Sequence, residues 1–247
     1  MNRGIRAFTL VELLVAMAVT ALLIALLLGV VSSVLNVWNQ GRNRLDTFAT
    51  ARNVLSRLSD EITAAVVQKD KIEFQENVTL GTLPAPAPTQ VEDVFFVASY
   101  PNFGAGDLCV IAYRLDTTTR ELKRAFRNSD ESWNVAPTTN RYKVASYDQA
   151  TWQWRTVATG VLEFELRCYS QTDLDTDADP APTWNSQAAT VPAMYGKNPR
   201  RVVLRLKAVD DRTAVKLNLL TPGSAPYTQT VQQNAREFFA DFSLPSR

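Results

Sequence analysis

No histidine occurs anywhere in the 247 residues. Imidazole is the side chain that titrates near neutrality. Its absence removes the commonest general base, every histidine-dependent triad and most transition-metal sites. Catalysis by carboxylates or lysine remains possible. Cysteine is almost missing too. The two present, Cys109 and Cys168, have neither metal-ligand nor redox-pair spacing. Either one disulfide joins them in an oxidising compartment or they are two buried thiols on strands. An excess of either charge is also missing. Lys and Arg number 26 against 25 Asp and Glu, for a net charge of +1, which leaves no electrostatic case for nucleic acid. Only residues 1–7 are one-sided, carrying Arg3, Arg6 and the amino terminus with no acid.

Apolar sequence, by contrast, is concentrated at the front. From Leu13 to Val31 only Thr20 and Gly29 interrupt the run. Phe8 to Val31 is 24 residues, or about 36 Å of helix, which suffices to cross a hydrocarbon core of about 30 Å. Arg3 and Arg6 favour a cytoplasmic N-terminus, so the chain beyond Val31 is directed outward. A cleaved secretory signal has a shorter apolar region, roughly 7–15 residues, ending in small residues. This run is longer and ends GVVSSVLNVW. A plain membrane anchor fits the length, but neither alternative accounts for Glu12. A carboxylate costs about 2.5–3.5 kcal/mol at the centre of a bilayer on insertion scales and less near an end, so it has a partner or a purpose. Were the chain cut after Ala7, Phe8 would carry a new amine and Glu12 would be the fifth residue. Amine and carboxylate would then lie one helical turn apart, placed to pair between staggered neighbours within lipid.

The stretch RAFTLVELLVAMAV resembles the type IV prepilin signature shared by pilins and type II secretion pseudopilins. The resemblance implies that prepilin peptidase cuts between Ala7 and Phe8, that Phe8 is N-methylated, and that Glu12 is the assembly glutamate. One position departs from the pattern: Ala7 stands where the family carries glycine. Gly4 is no substitute, because Ile5 would then lead and Glu12 would fall eighth. Less specifically, VATGVLEFELRCYS, a loop containing Trp184, and NPRRVVLRLKAVDD resemble the tail half of J-type minor pseudopilins. RRVVLRLKAVDDRTAVKL is also similar to the prepilin-like group called Verru_Chthon cassette protein C.

Beyond the apolar run, Leu35, Trp38, Leu45, Phe48, Leu55, Leu58, Ile62 and Ala65 recur at steps of three, four or seven, one stripe of a helix. Arg42, Arg44, Arg52, Arg57, Asp60 and Glu61 mark the opposite, solvent side. One helix is expected from about residue 9 to 67, interrupted only by the soft spot Gly41, with most of the stripe packed on the domain's own sheet. LGTLPAPAPTQ (80–90) excludes helix and central strand. Strands are expected at 91–99, 108–116 and 121–127, the last two joined as a hairpin through DTTTR. Further strands are expected over TWQWRTVAT (151–159) and VLEFELRCYS (161–170). In the latter, Leu162, Phe164, Leu166 and Cys168 alternate toward a core. Residues 171–199 are expected as a long polar loop. RRVVLRLKAVD (200–210) and AVKLNLL (214–220) are expected as a closing hairpin, followed by a loose tail. The elements make the fold class α+β, and the resemblance implies a long N-terminal helix packed on an antiparallel sheet domain, as in pilins. The expected divisions are a leader at 1–7, a transmembrane half-helix at 8–31, an amphipathic half at 32–67 and a periplasmic β-rich domain at 68–247.

Three patterns bear on chemistry. Asp173, Asp175, Asp177 and Asp179 alternate in DLDTDADP, a spacing that can gather oxygens around calcium, as some pseudopilins do. Ala178 and Trp184, however, occupy the positions where an EF-hand loop needs Gly and Glu. The plainer reading is a solvated acidic loop. Trp133, Trp152 and Trp154 suggest sugar or peptide binding, or simply packing. Glu163 and Glu165 imitate a glycosidase pair, but on a strand's outer face they read as solvent-facing charges. The expectation is thus a non-enzymatic minor pseudopilin without cofactor, partnered by prepilin peptidase, other pilins or pseudopilins, and the inner membrane. It is single-pass, with its N-terminus cytoplasmic and its soluble domain periplasmic, and is built into a hetero-oligomeric fibre or tip complex. The alternatives are a minor pilin of a type IV pilus or DNA-uptake system, a membrane-anchored periplasmic binding domain, and an envelope enzyme working through carboxylates.

Overall fold

The computed structural model describes residues 10–76, 93–100, 106–133, 142–143, 152–180 and 183–244. Residues up to Asp46 and residues from Thr47 form two compact units. The first unit is helical, being the start of α1 (Leu10–Thr63). Every side chain described in it is exposed in the single chain. The hydroxyls of Thr20 and Ser32 donate to the carbonyl oxygens of Ala16 and Leu28, each at 2.7 Å. These two polar groups are thus satisfied inside the helix, as a lipid environment demands.

In the second unit, α1 presents Ala51, Val54, Leu55, Leu58 and Ile62 to a core. Leu58 and Ile62 are fully buried, each contributing about 1.5–3 kcal/mol. The expected stripe is buried only along this part, because Leu35, Trp38, Leu45 and Phe48 are at least half exposed. The helix ends at Thr63, short of 67. There the β-branched pair Val66 and Val67 favours extended chain, and the Val66 N–H donates to the Val97 oxygen at 2.8 Å.

Five antiparallel strands follow in the spatial order β1 (Phe74–Glu76), β2 (Asp93–Ser99), β3 (Leu108–Asp116), β4 (Glu121–Arg127) and β5 (Trp154–Ala158). Phe74, Val94, Phe96, Ile111 and Tyr113 join the core under α1. Phe95, Val97, Val110, Ala112 and Trp152 build a second core on the other face. Burial on both faces explains why β2 and β3 read as nearly continuous apolar runs. The β3–β4 hairpin forms at the expected residues, with Asp116 opposite Glu121. The Asp116 carboxylate accepts the backbone N–H groups of Thr118 and Thr119, which fixes the turn. Between Arg127 and Trp154 the described residues include a short helix, α2 (Ser129–Trp133).

The second sheet has three strands in the order β6 (Val161–Tyr169), β7 (Arg201–Ala208) and β8 (Arg236–Ser243). Phe164, Leu166 and Cys168 face the main core as their alternation predicts. Leu162 does not. A register shift between Val161 and Glu163 places Val161 in the main core and turns Leu162 to a third cluster around Val209, Ala214 and Leu217.

Three expectations after residue 170 are corrected. Residues 171–199 are not all loop. Ser170 and Asp173 form a reciprocal capping box that starts α3 (Gln171–Thr176). Farther on, Trp184 is buried. The Glu76 N–H donates to its carbonyl oxygen at 2.9 Å, and the Ser186 N–H donates to Phe74. This segment therefore covers the outer edge of β1. The strand expected at 214–220 is instead the end of α4 (Asp211–Asn218), whose N-cap Asp210 accepts from the Thr213 N–H. Val215, Leu217 and Leu219 alternate like a strand, but the cap wins and leaves Val215 and Leu219 exposed. With α4 and α5 (Ala225–Asn234) in between, the antiparallel partner of β7 is β8, the supposed loose tail. Its Phe238, Ala240 and Phe242 pack against the main core.

Glu61 is the further correction. Expected on the solvent side, it is 2% exposed. It accepts from the Tyr113 hydroxyl at 2.7 Å, from Arg124 Nη2 at 2.7 Å and from Arg57 Nε at 3.0 Å.

Across the outer face of the second sheet, Lys207 pairs with Glu163 at 2.8 Å, Arg205 with Glu237 at 2.9 Å and Arg201 with Asp241 at 2.6 Å. The hydrogen bond from Arg205 holds the Glu237 carboxyl below its ordinary range, and that from Arg201 does the same for Asp241. A carboxyl lowered by folding adds stability above its unfolded pKa, and this is lost as pH falls through the lowered value. Solvent screening keeps each such contribution small. The unfolding midpoint of the full chain is therefore expected to hold from pH 7 to about 5 and fall below about 4. The double variant Glu237→Gln/Asp241→Asn should show a shallower fall in a thermal melt.

Candidate functional site

The candidate site is the front of α1. Glu12 lies in the first described turn of α1, where a negative charge is favourable to the helix dipole. Around it Leu10, Val11, Leu13, Leu14 and Val15 are all exposed, a sleeve of apolar side chains with one carboxylate. Leu10–Leu35 is long and apolar enough to cross a membrane by length and composition. Arg3, Arg6, Ala7 and Phe8 lie outside the described residues.

The family model described as the prokaryotic N-terminal methylation motif matches residues 2–28. That stretch includes Ala7, Phe8 and Glu12 and coincides with the front of the apolar helix. The N-terminus is that of a type IV prepilin-like protein. No curated protein shows a significant match to the chain. The prepilin-like motif supports processing by prepilin peptidase and assembly with other pilins. The apolar helix fits a single-pass membrane anchor of such a protein, and helix followed by antiparallel sheets fits the α+β pilin-like fold.

The other sequence candidates find structural places. Asp173 is engaged in the capping box, Asp175 accepts from Gln171, and Asp177 is the left-handed C-cap of α3 at φ 51°. Among the described residues no three His, Cys, Asp or Glu side chains converge to hold a metal ion. Alternation in sequence does not gather these carboxylates because a helix occupies the first half of the run. Trp152 and Trp154 share a face as expected, their rings 5.7 Å apart. Trp152 is buried against Phe95, and Arg114 and Arg127 lie over Trp154 and Trp152. This is packing. The side chain of Trp133 lies outside the described set. Glu163 and Glu165 are committed to the charge ladder with Lys207 and Arg205.

Of the two readings of the cysteines, the structure has the buried thiols. Cys109 is on β3 of one sheet and Cys168 on β6 of the other. Burial, then the nearby Glu76 carboxylate, push the Cys168 thiol well above its usual range, so it stays protonated and inert.

The residues that pattern reading missed are those gathered at Glu61. A glutamate beside Asp60 on the polar side of a helix gives no local sign of burial. A hint existed in YRLDTTTRELKRAF, where Tyr113 and Arg124 project from paired strands, but their common partner is more than fifty residues upstream.

Proposed function

We propose that the chain is a minor pseudopilin, a non-enzymatic structural subunit of a type II secretion pseudopilus. The observation that carries this reading is one carboxylate, Glu12, in the first turn of an apolar span that lies inside a methylation motif. A charge retained there at a cost in insertion energy is explained by a partner made during assembly. Arg3 and Arg6 keep the leader cytoplasmic, and prepilin peptidase cuts after Ala7. Phe8 is methylated, and Glu12 pairs with the amine of a neighbouring subunit's Phe8. Like helices in lipid have no hydrophobic drive to associate, so this polar contact sets their register. The soluble domain from residue 68 then lies in the periplasm, with the inner membrane holding the anchor.

The J-type assignment is supported by two segments, VATGVLEFELRCYS and NPRRVVLRLKAVDD, which supply β6 and β7. The same N-terminal motif serves pilins, so a minor pilin is the broader form of the reading. Intact-mass spectrometry of the protein from membranes tests both forms. The expected product begins at N-methyl-Phe8. A chain that keeps residues 1–7 overturns the reading in favour of a plain anchor.

A further inference from the structure

The outer edge of β8 is open. Its eight residues pair with β7 in unbroken register from Arg236 to Ser243. Apart from β7, no segment among the described residues bonds to its backbone. Such an edge presents a row of N–H and C=O groups to any extended chain that reaches it. Proline, lysine and bulges blunt the edges of natural sheets, and β8 has none of them. The outer edge of β1, by contrast, is covered by the segment around Trp184.

The side chains on the solvent face of this sheet define the strand that fits. Glu163 and Glu165 of β6 are acidic, Arg201, Arg205 and Lys207 of β7 basic, and Glu237 and Asp241 of β8 acidic. Over the whole face the charges balance, because Arg167 of β6 adds a base. At the edge they do not. The exposed positions of β8 are Glu237, Phe239, Asp241 and Ser243, two acids and no base, with Phe239 between the acids and 61% exposed. Arg205 shows how the row continues, since it meets Glu163 and Glu165 on one side and Glu237 on the other. The β8 acids have bases on the β7 side alone, and both printed contacts of Glu237 use Oε1. A second copy of β8 is a poor occupant. Setting Phe239 opposite its own copy in an antiparallel pair places Glu237 opposite Asp241, and like charges so placed destabilise a sheet.

We infer that the β8 edge accepts an extended basic segment of a partner protein as a fourth strand of the second sheet. The segment carries lysine or arginine facing Glu237 and Asp241, and an apolar residue between them against Phe239. Main-chain hydrogen bonds hold it, and the two acids select it over acidic strands. The edge lies wholly in the unit from Thr47. Its pairing therefore stands or falls separately from the role of Glu12 in lipid.

The test uses the full chain in detergent micelles and a dye-labelled peptide, Thr-Lys-Thr-Val-Thr-Lys-Thr, read by fluorescence anisotropy. The expected result is saturable binding that is lost when glutamate replaces both lysines. Two N-methylated forms separate strand addition from plain charge attraction. One is methylated at the Lys and Val nitrogens, the other at the Thr nitrogens. Backbone groups of alternate residues face opposite sides of an antiparallel strand, so one form should lose binding and the other keep it. Glu237→Gln should weaken binding about fivefold, the upper range of one exposed ion pair. The pair it breaks is solvent-screened, so the variant still folds. No binding, equal binding of the lysine and glutamate peptides, methylated forms that behave alike, or an unchanged affinity in Glu237→Gln overturns the proposal. A dimer of the full chain that sediments as such and is dissociated by the lysine peptide also overturns it, assigning the edge to a second copy.

Discussion

Replacing Glu12 by alanine is expected to leave membrane insertion intact and to block assembly. The two effects have different physical sources. Removing a carboxylate from an apolar span lowers the cost of insertion, which is about 2.5–3.5 kcal/mol at mid-bilayer and less at this end. Assembly loses the pairing of that carboxylate with the Phe8 amine of a neighbour. Leaving one partner of a desolvated ion pair uncompensated costs about 3–5 kcal/mol, roughly a hundredfold to a few thousandfold in association. Glu12→Gln keeps the shape and a hydrogen-bond acceptor, so it should retain partial assembly. The measurement is the fraction of mature protein cross-linked into fibres, set beside the fraction in the membrane. Normal assembly of Glu12→Ala would refute the role given to this residue, and loss of the protein from the membrane would place its role in insertion instead.

Glu61→Leu is expected to cost about 3–5 kcal/mol of stability, the usual effect of breaking a buried ion pair from one side. Arg124 is only 11% exposed, and it would keep its charge with no carboxylate to meet it. The Tyr113 hydroxyl would also lose its acceptor. Burial, reinforced by the Glu61 charge, pushes that hydroxyl far above its ordinary range, so it remains a proton donor at every physiological pH. Tyr113→Phe should be milder, about 1–2 kcal/mol, because the two arginines still satisfy the carboxylate. Denaturant midpoints of the full-length variants in detergent would rank them. A Glu61→Leu protein as stable as the parent would mean that Arg124 and Arg57 simply turn out to solvent.

The elements legible in advance are those whose signal is local. β3 and β4 begin and end at the expected residues because period-two alternation and the Asp116 turn lie within one short stretch. The apolar span and the methylation motif are contiguous stretches as well, so both are legible locally. Two of the departures lie after residue 210. There a run of seven residues was too short to distinguish strand from helix. The deciding signal was the cap at Asp210, one residue before the helix. β8 carries a clean alternation, Phe238, Ala240, Phe242, but its partner β7 lies beyond two intervening helices.

Chain chemistry alone thus suffices for a helix long and apolar enough to cross a membrane, an N-terminal methylation motif, an antiparallel β-rich domain and a chain without histidine chemistry. These follow from side-chain types and spacings within a few turns or one hairpin. Neighbours distant in sequence were needed for the rest. Glu61 is buried because Tyr113 and Arg124 arrive across it, and the two thiols are buried on strands of different sheets. The stripe on α1 is buried from Ala51 onward, and the half-exposed Phe48 still meets Phe238 of β8 edge-on. Burial is a property of what packs against a residue, and the partners that bury Glu61 lie 52 and 63 residues away in sequence.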